Sequence, residues 1–138
     1  MTLKDDKRNE MSKIYMKNAY EALQEAEYNK NQFPKASIRR AYYSMFYAAH
    51  SALITEGIEA KSHEGVNNLF AEKFVKTEKF PKKIFKTLGR MEADRYDADY
   101  DPIVEFSLQD AEKHIEYAEI FVNTVKQMLI KEQKDSTC

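Results

Sequence analysis

Arg95 is the residue through which this sequence can most readily do chemistry. It stands in RMEADRYDADYDPIVE (residues 90–105), where Glu92, Asp94, Asp97, Asp99, Asp101 and Glu105 surround it. Ile84, Leu88, Met91 and Arg95 recur at spacings of four, three and four, so the guanidinium falls in line with an apolar helical stripe. A charge on such a stripe is costly unless it is paired. Two arrangements satisfy it. Asp94, Asp97 or Asp99 can close a structural ion pair. Alternatively, the guanidinium faces a cleft and holds a phosphate, which its planar fork fits well.

The flanking residues offer further chemistry, each with a plainer reading beside it. Between residues 73 and 90 stand Lys73, Lys76, Lys79, Lys82, Lys83, Lys86 and Arg90, with Glu78 the sole acid. That run is either a solvated face or a phosphate-facing patch for RNA or nucleotide, positioning a strand without reading its sequence. Asp97, Asp99 and Asp101 alternate as in the opening of a calcium loop. Pro102 then stands where that loop needs Gly, and Leu108 where it needs a bidentate Glu. No metal site and no cofactor are expected. The histidines are His50, His63 and His114, and none belongs to a local Ser/His/Asp set, a His-x-x-x-His pair or a Gly-rich phosphate loop. His50 shares a helical face with Arg39 and Tyr43, which suits a structural hydrogen bond better than catalysis. His63 opens a helix beside Lys61 and Ser62, a setting for an anion.

These residues need a scaffold, and residues 37–55, SIRRAYYSMFYAAHSALIT, supply its centre. Ile38, Tyr42, Met45, Ala49 and Ala52 form one helical face, which Tyr43, Phe46, Leu53 and Ile54 widen. A helix apolar over most of its circumference belongs in the middle of a bundle. Its narrow polar stripe is Ser37, Arg40, Ser44, Tyr47, Ser51 and Thr55, expected to face water, a partner chain or a polar site. A first helix is expected over residues 9–29, with Ala19, Ala22 and Ala26 in its apolar line. Pro34 follows as a break. Ser62 caps a short helix over residues 63–76. Phe80-Pro81 starts the next helix, and Asp101-Pro102 ends it. Ser107-Leu108-Gln109-Asp110 resembles a capping box. The helix after it, to about residue 131, carries Ala111, Ile115, Ala118, Val122, Val125 and Leu129 at alternating spacings of four and three.

The 138 residues suit one domain: a polar, disordered arm at 1–8, a bundle at 9–131 and a polar tail at 132–138. Three Gly and three Pro leave little room for a turn-rich β architecture. A net charge of -1 sets up no global field toward nucleic acid or membrane. No stretch of about 18 apolar residues exists to span a bilayer. The single cysteine, Cys138, can form neither an intrachain disulfide nor a Cys-based metal motif, which fits a reducing, cytoplasmic compartment. The expected fold is therefore all-α, an up-and-down bundle of four to five helices.

Five pieces in order carry a resemblance: RRAYYSMFYAAHSAL at 39–53, KSHEGV at 61–66, FVKTEKFP at 74–81, RYDADYDP at 95–102 and FSLQDAEKHIEYAEIFV at 106–122. Together they resemble the HEPN family, in particular its short prokaryotic branch formerly catalogued as an uncharacterised family. The resemblance implies a helical bundle that forms a homodimer with a cleft between the copies. It also implies a small nucleotidyltransferase as partner, in a toxin–antitoxin couple. Many members are metal-independent ribonucleases whose motif is an arginine followed, four to six residues on, by a histidine. Arg95 matches the arginine, but the position five later is Tyr100, a poor base at neutral pH with an ordinary pKa of about 10. The expectation is a regulatory module that binds nucleotide or RNA phosphate at a cleft walled by Arg95, Asp99, Lys61, His63 and Arg40. Tyr100 is then a modification target for the partner enzyme. The alternatives are a ribonuclease toxin using Arg95 with Tyr100, or with a histidine from elsewhere in the dimer, and a helical adaptor that uses the polar stripe as a protein interface.

Overall fold

The computed structural model describes residues 3–136, with side chains described over 5–134, and all regular structure among them is helical. The elements are α1 (Leu3–Asn29), α2 (Pro34–Thr55), α3 (His63–Phe70) running into a π-helical turn (Ala71–Val75), α4 (Lys82–Tyr100) and α5 (Leu108–Ser136). Pro34 starts α2 rather than merely ending α1, because the first helical turn has no use for its missing N–H. α1 begins at Leu3 rather than Asn9, and Arg8 pairs with Asp5 one turn away. Residues 1–2 of the expected arm lie outside the described residues. α5 continues through most of the expected tail, to Ser136.

α2 packs against α1, α3, α4 and α5, so the most apolar helix occupies the centre. Ala41, Tyr42, Met45, Ala48, Ala49, Ala52 and Leu53 are fully buried there. Ala19, Ala22 and Ala26 of α1 are fully buried in turn, and their small size lets the two helices lie close. Phe70, Phe74, Phe80 and Phe121 form an aromatic cluster under the α3–α4 connection, with Phe70–Phe80 and Phe80–Phe121 centroids each 5.0 Å apart.

The serines of the α2 polar stripe, Ser37, Ser44 and Ser51, are buried, where water, a partner chain or a polar site was expected to meet them. Ser37 Oγ donates to the Ala26 carbonyl at 2.8 Å, and Ser44 Oγ to the Ala41 carbonyl at 2.6 Å. Ser12 and Ser51 meet hydroxyl to hydroxyl at 2.8 Å across the α1–α2 contact. Small hydroxyls satisfied by nearby carbonyls can enter a close helix contact at little cost, so only Arg40, Tyr47 and Thr55 of the stripe remain partly exposed.

The caps read from sequence form. Ser62 Oγ accepts from Gly65 N at 2.9 Å. Ser107 Oγ accepts from Asp110 N at 3.0 Å while Asp110 Oδ2 accepts from Ser107 N at 2.9 Å, a reciprocal box. The backbone hydrogen bond from Ser107 holds the Asp110 carboxyl below the usual range.

Among the described residues two turn positions have positive φ: Gly57 at 73° and Glu78 at 63°. The second carries a side chain where L-residues are disfavoured by about 1–2 kcal/mol. Glu78→Gly is expected to stabilise the fold by up to ~1 kcal/mol, whereas Gly57→Ala destabilises it by about 1 kcal/mol. Urea midpoints at constant m-value should move in opposite directions for the two variants.

Candidate functional site

Arg95 emerges from α4 beside Leu88 and Met91, both buried in the core, and its side chain is only 11% exposed. Its Nη1 donates to Asp99 Oδ2 at 3.2 Å, one helical turn on. Asp99 Oδ1 lies 3.1 Å from Nε of Arg39 on α2, so one carboxylate bridges two guanidiniums and two helices. Of the three acids near Arg95, Asp99 is therefore its partner. The guanidinium carbon stands 5.1 Å from the Tyr42 ring centre and 5.9 Å from that of Tyr43, within cation–π range. Burial opposes the charge on Arg95, but the Asp99 hydrogen bond and the two tyrosines outweigh it and raise its pKa. Its Nε is buried with no hydrogen-bond partner among the described residues.

Tyr42 links this guanidinium to His63. The tyrosine is fully buried, and its hydroxyl lies 2.8 Å from His63 Nδ1. Burial, reinforced by Glu92 and opposed by Arg95, pushes the phenol far above its ordinary pKa, so it keeps its proton. Burial, then the Arg95 charge, lowers the pKa of His63 against the pull of Glu92, so the imidazole is neutral. Its ring packs on Phe46 at 4.3 Å. Glu92 is held in turn by Asn67 Nδ2, which donates to its Oε2 at 2.7 Å. The Tyr42–His63 bond takes either direction. A bare Nδ1 accepts from the hydroxyl and leaves Nε2 protonated, or Nδ1–H donates to it and leaves Nε2 as a base. A cationic fork beside a neutral imidazole, both steadied by one buried tyrosine, is equipped to hold a phosphate and to move a proton next to it.

The residues expected around Arg95 sort into two groups. Asp99 and His63 join it. Arg40 reaches only the edge, over the Tyr43 ring at 5.6 Å, with its Nη2 donating to Glu25 of α1 at 3.2 Å. Lys61 lies apart, lining a cavity between the start of α1 and the end of α2 that does not include Arg95. Tyr100 is 67% exposed and packs at a tilt against Tyr96, ring centres 4.7 Å apart, outside the contacts of Arg95. Arg39, Tyr42, Tyr43, Asn67 and Glu92 were not anticipated in the site. A signal for two of them existed, because Arg39 and Tyr42 share a face of α2 at a spacing of three.

Of the other two histidines, only His50 carried an expectation, a structural hydrogen bond. Among the described residues His50 Nδ1 has no hydrogen-bond partner; the ring packs on Tyr15, with ring centres 4.4 Å apart. His114 is buried, with Nδ1 2.6 Å from the Asp110 carbonyl and Nε2 2.8 Å from Asp94 Oδ2. Both partners are acceptors, so both bonds form together only on a doubly protonated ring. This clamp ties α5 to the turn of α4 that carries Arg95. Asp97 and Asp99 sit on α4 and Asp101 Oδ1 accepts from Ile103 N at 2.9 Å, so the three acids serve the helix and its exit.

Comparison with known proteins agrees with this architecture. A family described as HEPN domain matches residues 12–128. The chain is 34% identical over 125 residues to a Methanocaldococcus jannaschii protein named "Putative toxin MJ0142", covering 89% of this chain and 84% of that one. It is 32% identical over 125 residues to a Thermotoga maritima protein named "UPF0332 protein", covering 88% and 95%. It is 32% identical over 103 residues to a second M. jannaschii protein, "Putative toxin MJ0605", covering 72% and 74%.

The lowered pKa of His63 has a stability signature. Its folded value lies below the unfolded value of about 6.5, so its contribution is complete above pH 6.5 and is lost as pH falls through the folded value. Melting temperature is expected to fall between pH 7.5 and pH 5, and to fall less in His63→Gln. Arg95→Gln should move the NMR titration midpoint of His63 upward, because it removes the cation that opposes protonation.

Proposed function

This chain belongs to the HEPN domain family, and we propose that it is a toxin-like module that binds RNA or nucleotide phosphate through Arg95. The observation that carries the reading is the Arg95 guanidinium, nearly buried and held by one oxygen of Asp99 and by the Tyr42 hydroxyl, with Nε lacking a hydrogen-bond partner among the described residues and neutral His63 on the adjoining tyrosine. Such a fork keeps donors for an incoming oxyanion in a setting where each is worth more than in water. Two relatives with toxin in their names support the toxin-like part. The cleft beside Arg95 is completed by a second copy in a homodimer. The partner that restrains the module is a small nucleotidyltransferase, and the exposed Tyr100 is the modification target available to it.

The proximity of His63 favours one second reading, a metal-independent ribonuclease. In that reaction the 2′-oxygen of the RNA bonds to phosphorus and gives its proton to His63 Nε2. The bond to the 5′-oxygen breaks, that oxygen takes a proton from solvent, and Arg95 stabilises the charge on the phosphoryl oxygens. His63 takes the role that the motif spacing offered to Tyr100.

Three measurements test these readings. The full chain is expected to bind fluorescein-labelled single-stranded RNA in the presence of chelator, and Arg95→Ala to weaken binding roughly 10- to 100-fold, the effect of losing ~1.5–3 kcal/mol of charge-assisted hydrogen bonding. Unchanged affinity in that variant rejects the phosphate site. Chelator-resistant cleavage lost in both Arg95→Ala and His63→Ala, with Tyr100→Phe active, selects the nuclease. Sedimentation of the purified chain at the monomer mass alone rules out the shared cleft.

A further inference from the structure

Arg39 and Arg95 approach one carboxylate from two helices. Asp99 Oδ1 lies 3.1 Å from Arg39 Nε of α2, and Asp99 Oδ2 accepts from Arg95 Nη1 of α4 at 3.2 Å. Two guanidiniums set on the two oxygens of one acid form a seat that a phosphate also fits, because arginine's fork matches both anions. The Arg95 side of the seat is fixed by the Tyr42 and Tyr43 rings beneath it. The Arg39 side is open. Its side chain is 33% exposed and lines a cavity of about 430 Å³ with Phe33, Pro34, Glu105 and Phe106.

Asp99 is placed to leave this seat. It lies in the last turn of α4, which ends at Tyr100, and residues 101–107 beyond it are not helical. Ala98 is the buried residue of that turn, so the core does not hold Asp99. The Asp99 side chain is 25% exposed and short, and a change of rotamer turns it into water. Among the described residues it is the one acid within ion-pair distance of either guanidinium. Its departure alone would leave two neighbouring cations uncompensated, so the carboxylate leaves as another anion arrives.

We infer that Asp99 is an internal occupant of the phosphate seat, and that an incoming phosphodiester displaces it and is then held by Arg39 and Arg95 together. The inference rests on the reading of Arg95 as a phosphate-binding residue. It adds Arg39 as a second arm of that site and Asp99 as its tethered competitor. A phosphodiester replaces the carboxylate charge for charge and oxygen for oxygen, so the two helices keep their bridge through the exchange.

Anisotropy of fluorescein-labelled single-stranded RNA in the presence of chelator, with the full chain and its variants, tests the exchange. Asp99→Asn keeps an acceptor oxygen but removes the charge. A competitor lowers apparent affinity by the fraction of time it leaves the seat open, so this variant is expected to bind roughly tenfold tighter. A purely structural bridge gives the opposite sign, because loosened guanidiniums bind less well. Arg39→Ala is expected to weaken binding roughly tenfold, the loss of a charge-assisted contact, and to shrink the Asp99→Asn gain in the double variant. Circular dichroism melts establish that each variant folds, and Asp99→Ser replaces Asp99→Asn where the latter does not. Weaker binding in Arg95→Ala without tightening in Asp99→Asn, or with affinity unchanged in Arg39→Ala, overturns the exchange and leaves the Arg95 reading standing. Equal affinity in Arg95→Ala rejects both. Where the native chain binds no RNA, inorganic pyrophosphate is titrated against the Arg39 Nε–Hε NMR signal. A saturable shift in Asp99→Asn, tighter than in the native chain, sustains the exchange; equal midpoints, or no shift in either, overturn it.

Discussion

Everything near the site follows from α2 being surrounded by protein on most sides. A helix with so little solvent-facing surface can tolerate a cation against it only where an anion and polarisable rings stand ready. Arg95 arrives from α4 against that helix, and the chain meets it with Asp99 and with the faces of Tyr42 and Tyr43. Asp99 is shared with Arg39, so each guanidinium receives one carboxylate oxygen rather than a bidentate pair. A bidentate pair would be a finished structural bridge. A shared, one-oxygen anchor fixes the position of the charge while leaving part of its hydrogen-bonding capacity free. The ion pair and the phosphate site, set out from sequence as alternatives, are thus compatible in one arrangement.

The same central helix explains what the sequence could and could not tell. Its all-round apolarity was legible, and so were the breaks at Pro34 and Pro102, the Ser62 cap and the reciprocal Ser107–Asp110 box, because each is a local device. The burial of Ser37, Ser44 and Ser51 was not legible. It depends on which carbonyls of α1 and α2 lie within reach, a fact of tertiary packing. The helical start at Leu3 was hidden by a run of charges that reads as an arm until Arg8 is seen to lie across Gly57.

At the site, Arg95 was legible because it interrupts an apolar stripe, and Asp99 because it lies one turn along. Tyr100 was assigned by motif spacing, and helical geometry sets it on a different face of α4 from Arg95. With α4 continuous through Tyr100, five residues turn the side chain by about 140° from Arg95, whereas four residues bring Asp99 back to nearly the same face. The Tyr42–His63 bond spans 21 residues and joins two helices whose relative placement no local pattern encodes. His63 was flagged for its position at a helix start, but the structure gives it a different neighbour. It belongs with Arg95 and Tyr42 rather than with Lys61, two residues before it.

That divergence of Lys61 and His63 has a physical cause in α2 itself. The helix buries one side in the core, so its partly exposed aromatic positions must fall on the other. Tyr43, Phe46, Tyr47 and His50 do so: 46 and 47 each lie three or four residues from both 43 and 50, the period of one helical face. Their rings touch in sequence, Tyr43 to Tyr47 at 6.0 Å and Phe46 to His50 at 5.8 Å. Tyr15 of α1 packs on His50 at the far end, and Arg95 of α4 on Tyr42 and Tyr43 at the near end. The connection between α2 and α3 crosses this row. Its first residues, through Lys61, stay with the end of α2, and His63 reaches back to Phe46 and Tyr42. A single ridge of rings thus holds two polar clusters apart at its ends. The ridge is rigid because aromatic side chains have few rotamers to lose, which suits it to hold charged groups at a fixed separation.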